Sequence, residues 1–262
     1  MDYQFHMKSP ANLAALGALA LLTVPSIAAA DRRAYGTTYE AVTAPQGELD
    51  VESWTTYAPD GEVGDGPSSR GVRQMIELEY GITDRWDVAL YNMLDVTSGS
   101  TESGYAGFKL ETRWRPSARG EWFVDPVLYA EFQQLFRGDA RQKYELKLIV
   151  AKDLGPVNVA TNIAVEEERL TDPAWKTEVE YAAGASYALT TVFLVGAEVF
   201  GKAEKDGMGG IENRAWAGPA VSWASGGRGV LQGWWLTLAA GAGLTKEADP
   251  YYGRLIVGLQ FR

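Results

Sequence analysis

The sequence predicts an all-β protein, an up-and-down antiparallel transmembrane β-barrel of about 12 strands that follows a cleavable signal peptide. Three observations support this fold class. Apolar and polar residues alternate along most of the chain after residue 47, which is the period of a strand with two different faces. Short and long connections alternate between these segments. Amphipathic aromatic residues collect near the segment ends on the apolar side, where a bilayer interface places them.

The N-terminal segment has the pattern of a secretory signal peptide. An apolar stretch from Leu13 to Val24 follows Lys8, and Ala28 and Ala30 form a cleavage signal of small residues. The stretch is too short for a membrane-spanning helix. We therefore predict a signal peptide at residues 1–30, an N-terminal periplasmic segment at residues 31–46 and an outer-membrane barrel at residues 47–262.

The first half of the predicted barrel has large apolar residues on one side of each strand and charges on the other. In the sequence ELEYGITDRWDVALY, Leu78 and Tyr80 alternate with Glu77 and Glu79. Successive side chains of a strand point to opposite faces, so the two sets separate. The alternating segments of this half are residues 48–57, 76–80, 87–95, 106–115, 124–133 and 143–150.

The second half continues the alternation with smaller residues. Ala183 and Ala185, for example, alternate with Gly184 and Ser186. Segments of about ten residues suit a tilted strand that crosses a membrane. The alternating segments of this half are residues 157–166, 178–187, 193–199, 217–223, 236–243 and 254–261.

The connections between these segments alternate in length. Short ones are predicted at residues 83–85, 116–120, 153–155 and 189–191, and longer ones at residues 59–70, 97–104, 135–141, 167–175, 201–213 and 245–250. Residues 225–233 are predicted to form a long connection where the alternation requires a short one. One trimmed end and one elaborated end are typical of an up-and-down barrel, whereas a Greek-key sandwich has no reason to keep this alternation.

The aromatic residues favour an apolar face that points outward. The chain has 9 Trp and 13 Tyr against 8 Phe, an excess of rings that suit a membrane interface. A soluble barrel would expose its charged side instead. The amphipathic rings near segment ends on the apolar side are Tyr57, Tyr80, Trp86, Trp114, Tyr144, Tyr187 and Trp223.

Three segments, EYGITDRWDVALY, GPAVSW and the terminal GRLIVGLQF, resemble those of bacterial outer-membrane barrel proteins. Among these, the chain is most similar to the phenol-degradation (MetA-pathway) outer-membrane protein family, over most of the predicted mature chain. The resemblance implies a place in the outer membrane of the Gram-negative envelope, among outer-membrane lipid and lipopolysaccharide, and no catalytic residues. The last strand resembles the signal read by the barrel-assembly machinery, although Arg262 follows the aromatic Phe261.

The composition excludes several classes of site. The chain has no Cys, and its one histidine, His6, lies in the predicted signal peptide. Ser-His hydrolases and His-based zinc or haem sites are therefore excluded. The formal net charge of -10 argues against a nucleic-acid partner. We predict no enzyme activity, no cofactor and no metal site.

Two pairs of carboxylates need a separate interpretation. Glu77 and Glu79 share one strand face, as do Glu178 and Glu180. A glycosidase would use such a pair as acid and base. Basic residues occupy the same predicted face, however, and this favours a lumen of interleaved charges held as cross-strand ion pairs.

A third acidic group lies near a predicted long connection. The range Glu166–Glu168, with Asp172, offers carboxylate oxygens of the kind that bind Ca²⁺ at the rim of a loop. A solvated acidic loop is the simpler interpretation of these four acids. We therefore assign no metal to this group.

The predicted function follows from the charged inner face. Twelve strands lie between filled barrels of about eight strands and open channels of about sixteen. This number favours a narrow pore or transporter for small solutes. The alternative is a closed structural or interaction barrel that acts through its extracellular loops, since mixed charges can neutralise one another. The residues predicted to line the lumen are Glu77, Glu79, Lys109, Glu111, Arg113, Glu131, Lys143, Glu145, Lys147, Glu178, Glu180 and Arg254.

Overall fold

The computed structural model describes residues 32–59, 71–97, 103–137, 140–171, 174–205 and 210–262. The predicted signal peptide lies outside these residues. Twelve strands form the fold: β1 (Leu49–Ala58), β2 (Gly71–Thr83), β3 (Trp86–Thr97), β4 (Gly104–Trp114), β5 (Asp125–Leu135), β6 (Ala140–Leu154), β7 (Val157–Leu170), β8 (Trp175–Ala188), β9 (Phe193–Lys205), β10 (Ile211–Arg228), β11 (Leu231–Gly243) and β12 (Tyr251–Phe261). In this part of the chain, no helix is long and apolar enough to cross a membrane.

The strands close into one antiparallel barrel. Each strand pairs with the next along the chain, and β12 pairs with β1. At the closing seam, Glu52 of β1 lies between Glu77 of β2 and Gly258 of β12. Closure leaves no open sheet edge, which is the condition for a sheet to stand in lipid. The prediction of a twelve-stranded up-and-down barrel is confirmed.

The two faces of the wall differ as the alternation predicts. On β2, Glu77 and Glu79 are buried, whereas Leu78 and Tyr80 are 42% and 45% exposed. The charged side therefore faces the interior and the apolar side faces outward. Seven outward-facing aromatic residues stand near strand ends, as predicted: Tyr57, Tyr80, Trp86, Trp114, Tyr144, Tyr187 and Trp223.

The connections define two different ends. The turn end carries residues 84–85, 115–124, 155–156, 189–192 and 229–230, and the loop end is the end at which β1, β3, β5, β7, β9 and β11 finish. The prediction of a long connection at residues 225–233 is wrong. Gly226 pairs with Gly233, because backbone pairing continues where small residues leave no apolar pattern. A tight turn with Gly229 at φ 66° joins the strands.

The interior contains aromatic clusters as well as charges. One cluster packs Trp54 and Tyr91 against Trp235 and Ile256. A second contains Phe200, Trp216 and Tyr252, and a third contains Tyr39, Tyr129 and Ile149. The side chains that fill this barrel therefore lie inside the sheet, between walls that face lipid on their other side.

Candidate functional site

The structure places all twelve predicted lumen residues on the inward-facing side of the wall. Three of them, Lys143, Lys147 and Glu180, are half-buried. The other nine are buried: Glu77, Glu79, Lys109, Glu111, Arg113, Glu131, Glu145, Glu178 and Arg254. Their effect on solute selectivity stays a prediction.

Arg113 on β4 collects acidic side chains on the β2–β4 side of the interior. One of its terminal nitrogens lies 2.8 Å from Asp87 Oδ2 and also pairs with Glu79. Its Nε lies 3.5 Å from Glu111 Oε1. In ion pairs of this kind, each charged group has lost its hydrating water and contacts its partner instead. The guanidinium and the carboxylates therefore stabilise one another inside the barrel.

Lys109 extends this group toward β5. Its Nζ lies 2.9 Å from Glu131 Oε2 and 4.2 Å from the centroid of the Tyr91 ring. The Tyr91 hydroxyl in turn donates to Glu111 Oε2 at 2.8 Å. These contacts link Lys109 to the acids that surround Arg113, so the β2–β5 side forms one connected polar group.

Lysines predominate on the β6–β9 side. Glu178 lies between two ammonium groups, with Lys176 Nζ at 2.6 Å and Lys202 Nζ at 3.3 Å from its oxygens. Lys147 Nζ lies 2.7 Å from Glu145 Oε1. A carboxylate with two ammonium partners keeps one of them if the other is removed.

The acidic group of β7 and β8 is neutralised by lysine. Carboxylate oxygens of Glu166, Glu168 and Glu178 lie within 4.8 Å of one another, a spacing that suits a metal ion. Lys143 Nζ, however, lies 2.8 Å from Glu166 Oε1 and also pairs with Glu168. Ammonium groups therefore hold the position a cation would take. Asp172 lies outside the described residues.

Arg254 on β12 has neutral partners. Its Nε donates to Thr56 Oγ1 at 2.8 Å. One terminal nitrogen donates to the carbonyl oxygen of Gly36 at 2.9 Å and contacts Thr37 Oγ1 at 3.3 Å. Gly36 and Thr37 precede β1, so this side chain connects the wall to the N-terminal segment.

Residues 32–46 form a loop inside the barrel, which we call the plug. Arg32 donates to the carbonyl oxygen of Thr191 at 3.0 Å, and Thr43 donates to that of Asp84 at 3.1 Å. Both acceptors lie in turns at the turn end, so the plug enters and leaves through the same end. Its buried residues are Ala34, Tyr35, Gly36, Thr38, Tyr39, Ala41, Thr43 and Ala44.

Glu198 on β9 holds the middle of the plug. The backbone N–H groups of Gly36, Thr37 and Thr38 donate to its two oxygens at 3.0, 2.9 and 2.8 Å. The Thr38 hydroxyl adds a bond of 3.0 Å and the Tyr252 hydroxyl one of 3.2 Å. Hydrogen bonds to an ionised acceptor are the stronger kind, which makes this carboxylate the main backbone anchor of the plug.

Asn162 and Asp87 hold the plug at two further points. The backbone N–H of Tyr39 donates to Asn162 Oδ1 at 2.7 Å, and Asn162 Nδ2 donates to the Tyr39 carbonyl oxygen at 3.0 Å. The Ala44 N–H donates to Asp87 Oδ2 at 2.9 Å. The Tyr39 ring packs edge-on against Tyr129, with 5.4 Å between centroids. The contacts are all non-covalent.

Arg33 of the plug occupies an aromatic and acidic pocket in the wall. Its guanidinium carbon lies 4.4 Å from the Trp54 ring centroid and 4.9 Å from that of Tyr39. Its nitrogens lie 3.1 Å from Glu52 Oε2 and 3.7 Å from Glu77 Oε2. Burial alone would lower the pKa of Arg33, but the two carboxylates raise this pKa well above its usual range.

A small cavity of about 40 Å³ lies between the plug and the β6–β10 side. Its lining includes Thr37 of the plug, the charged Lys147, Glu180 and Lys202, and the stacked rings of Phe200 and Trp216. A space of this volume holds a few water molecules. It is too small for a sugar or an amino acid.

Sequence reasoning did not anticipate the plug or its anchors. The N-terminal segment was predicted to be periplasmic, and the structure places residues 32–46 inside the barrel. Glu52 and Trp54 share the alternating polar face of the first segment, which is a signal for an inward position. Glu198 likewise alternates with Ala197 and Val199, but no local pattern indicates which backbone it would bind.

Comparisons with solved structures agree with the fold. A KdgM porin superposes with a TM-score of 0.54 and 9% identity, over 81% of this chain and 98% of that chain. A NanC porin superposes with a TM-score of 0.52 and 9% identity, over 82% of this chain and 99% of that chain. The COG4313 outer membrane channel from Pseudomonas putida F1 superposes with a TM-score of 0.57 and 13% identity, over 85% of this chain and 97% of that chain.

No family model and no curated relative matches the chain. The structural neighbours establish the fold of bacterial outer-membrane barrels, and the predicted outer-membrane location agrees with them. They do not establish membership of the phenol-degradation family, because their identities of 9% and 13% support the fold alone.

Proposed function

We propose that this protein is an outer-membrane channel for small solutes and that the plug closes its lumen. The observation that carries the proposal is the contrast between the two faces of a closed barrel, apolar outside and rich in acidic and basic side chains inside. Such a wall offers lipid an apolar surface and offers solutes a polar route. The neighbours with the same fold are named porins or channels, which supports this role. No enzymatic step is part of the proposal.

The plug has the properties of a gate. Residues 32–46 belong to no strand of the described barrel, so the plug can leave without breaking the wall. It enters from the turn end, and short turns face the periplasm in outer-membrane barrels. The plug would therefore withdraw toward the periplasm, the compartment predicted for residues 31–46.

The outer surface defines the surroundings that this proposal requires. The outward aromatic residues near strand ends, such as Tyr80 and Trp114, would lie at the bilayer interface. Lipopolysaccharide and outer-membrane lipid would cover the apolar face between them. β12 would present the terminal signal to the barrel-assembly machinery.

The interior charge supports a preference for cations. Among the buried charged residues of the described barrel, Asp and Glu outnumber Lys and Arg, and the half-buried Lys143, Lys147, Lys176 and Lys202 reduce this excess without removing it. An excess of fixed negative charge raises the local concentration of cations and repels anions. We therefore expect the open lumen to favour cationic and neutral solutes.

Planar-bilayer recording of two refolded proteins tests the proposal. The wild-type protein should show rare, small conductance, and a variant that lacks residues 32–46 should show a larger and stable one. Its reversal potential in a salt gradient should indicate cation preference. A variant with residues 32–46 in shuffled order keeps their composition without the anchors and should resemble the deletion. Heat-dependent gel migration verifies that each barrel is folded.

The filled lumen supports a second candidate, the closed structural or interaction barrel. In that case the plug and the ion pairs would be permanent packing, with the small cavity of about 40 Å³ as a residual space. Absence of conductance from the folded deletion variant would favour this candidate over the channel.

A further inference from the structure

The pocket around Arg33 has the components of a binding site for a planar organic cation. Glu52 and Glu77 face each other across β1 and β2, and the Trp54 ring packs against the Arg33 guanidinium that contacts both carboxylates. The Trp54 Nε1 donates to Glu52 Oε2 at 3.0 Å and to Glu77 Oε2 at 2.9 Å. The indole thus fixes both carboxylates and presents its face to the cation, which is how aromatic rings recognise guanidinium groups.

The hydrogen bonding of Glu77 in this pocket is incomplete. Glu77 is fully buried, and its Oε1 has no donor in good hydrogen-bond geometry among the described residues, although the Tyr91 hydroxyl lies nearby. A buried carboxylate oxygen without a donor is costly. Arg33 approaches the other oxygen of Glu77 at 3.7 Å, longer than a hydrogen bond. A free guanidinium with five or six N–H donors and no tether could satisfy both carboxylates more completely than Arg33 does.

We infer that Glu52, Glu77 and Trp54 form a binding site for guanidinium-bearing solutes and that Arg33 occupies it as a built-in competitor. The solute class rests on the proposed channel function, whereas the binding itself does not. A solute that displaces Arg33 removes the ion pairs with Glu52 and Glu77 that join the plug to β1 and β2. Binding and opening are therefore coupled, because the ligand and the closed plug exclude each other.

The chain offers a matched control at the next residue. Arg32 carries the same charge, but it donates to the Thr191 carbonyl at the turn end and not to the pocket. Arg33→Ala should empty the pocket, and Arg32→Ala should not. Glu52→Gln in the Arg33→Ala background should remove one wall of the emptied pocket.

Isothermal titration calorimetry with guanidinium chloride at millimolar concentration and constant ionic strength measures the site in detergent micelles. We expect the Kd for Arg33→Ala to be at least about tenfold lower than for the wild type or Arg32→Ala, because no side chain competes. Adding Glu52→Gln to Arg33→Ala should abolish this gain in affinity for guanidinium. Urea, which is planar and neutral, should not bind.

Labelling of the plug gives a second measurement that does not require an empty pocket. The chain has no cysteine, so Ala41→Cys, at a buried plug position, creates a single reporter thiol. Guanidinium should accelerate its reaction with a maleimide in protein with Arg33 intact. Sodium chloride at equal concentration should not.

Two results would overturn the inference. One is equal affinity of Arg33→Ala and Arg32→Ala for guanidinium, together with unchanged labelling of Ala41→Cys. The other is binding of Mg²⁺ but not guanidinium to Arg33→Ala, since oxygens of Glu52, Glu77 and Glu79 also lie within 4.8 Å of one another. Neither the binding measurement nor the labelling measurement uses conductance. Failure of this inference can therefore be distinguished from failure of the channel proposal.

Discussion

The two sides of the lumen achieve charge balance in different ways. On the β2–β4 side, one guanidinium is shared by three carboxylates. On the β6–β9 side, several lysines share an acidic group, and Glu178 has two ammonium partners at 2.6 and 3.3 Å. The first arrangement centres on Arg113, which contacts all three carboxylates, whereas in the second Glu178 has two lysine partners of its own. One substitution can therefore cost much more unfolding free energy on one side of the lumen than on the other.

Arg113→Met gives the largest effect expected from this comparison. The substitution removes the guanidinium that Glu79, Asp87 and Glu111 share. Removing one member of a buried ion pair costs about 3–5 kcal/mol, because the remaining charge is stranded in a poorly solvated place. Refolding into lipid vesicles across a urea gradient measures the loss of unfolding free energy. A cost below that of Lys202→Met would contradict the contrast between the two sides.

Leu148→Arg tests the premise that these charged sides face inward. Leu148 is 41% exposed on the outward face of β6, and an arginine near the bilayer midplane costs about 2–4 kcal/mol. Lys147→Leu is the matched change on the opposite face, where Lys147 pairs with Glu145 at 2.7 Å. Part of its cost would come from the stranded Glu145 carboxylate, so the test of the faces rests on Leu148→Arg. If Leu148→Arg leaves the free energy of unfolding unchanged in the same urea titration, the face assignment of this strand is wrong.

These faces could be predicted from sequence because the signal is local. Leu148 and Lys147 differ by one position, and the period of two assigns them to opposite sides whatever the partner strands are. The same reasoning fails at residues 225–233, where Gly and Ser carry little polarity contrast. Backbone pairing of Gly226 with Gly233 continues the strands there, and only the tertiary structure reveals it.

The plug could not be predicted because its partners are distant in sequence. Residues 32–46 have neither alternation nor a helical period. Their position depends on Glu198 and Asn162, which lie more than a hundred residues away and bind backbone groups. Backbone N–H groups are the same in every residue, so the sequence of the plug contains no mark of these contacts. The charged inner wall was predictable, and the loop that fills it was not.

Glu198→Gln should weaken the plug without weakening the wall. The amide replaces one carboxylate oxygen that accepts from plug N–H groups, and hydrogen bonds to charged acceptors contribute about 1.5–3 kcal/mol. We expect the ratio of open to closed channels to rise by at least about tenfold in planar-bilayer recordings. Glu131→Gln is the control, since Glu131 binds Lys109 of the wall. A similar increase in both variants would show that lost charge, not the plug anchor, opens the channel.

Lys202→Met should have the smallest effect, and it tests redundancy directly. Glu178 loses the ammonium at 3.3 Å but keeps Lys176 at 2.6 Å. The Lys176 side chain is 32% exposed, so solvent also screens the remaining charge. We expect a loss of about 1 kcal/mol or less in the urea titration, within the range of partly exposed pairs. Combining Lys202→Met with Lys176→Met removes both partners, and the double variant should lose more than the sum of the two single changes. Additive losses would mean that the two lysines act independently. In that case neither lysine would compensate for the other, and the β6–β9 side would not differ in redundancy from the side around Arg113.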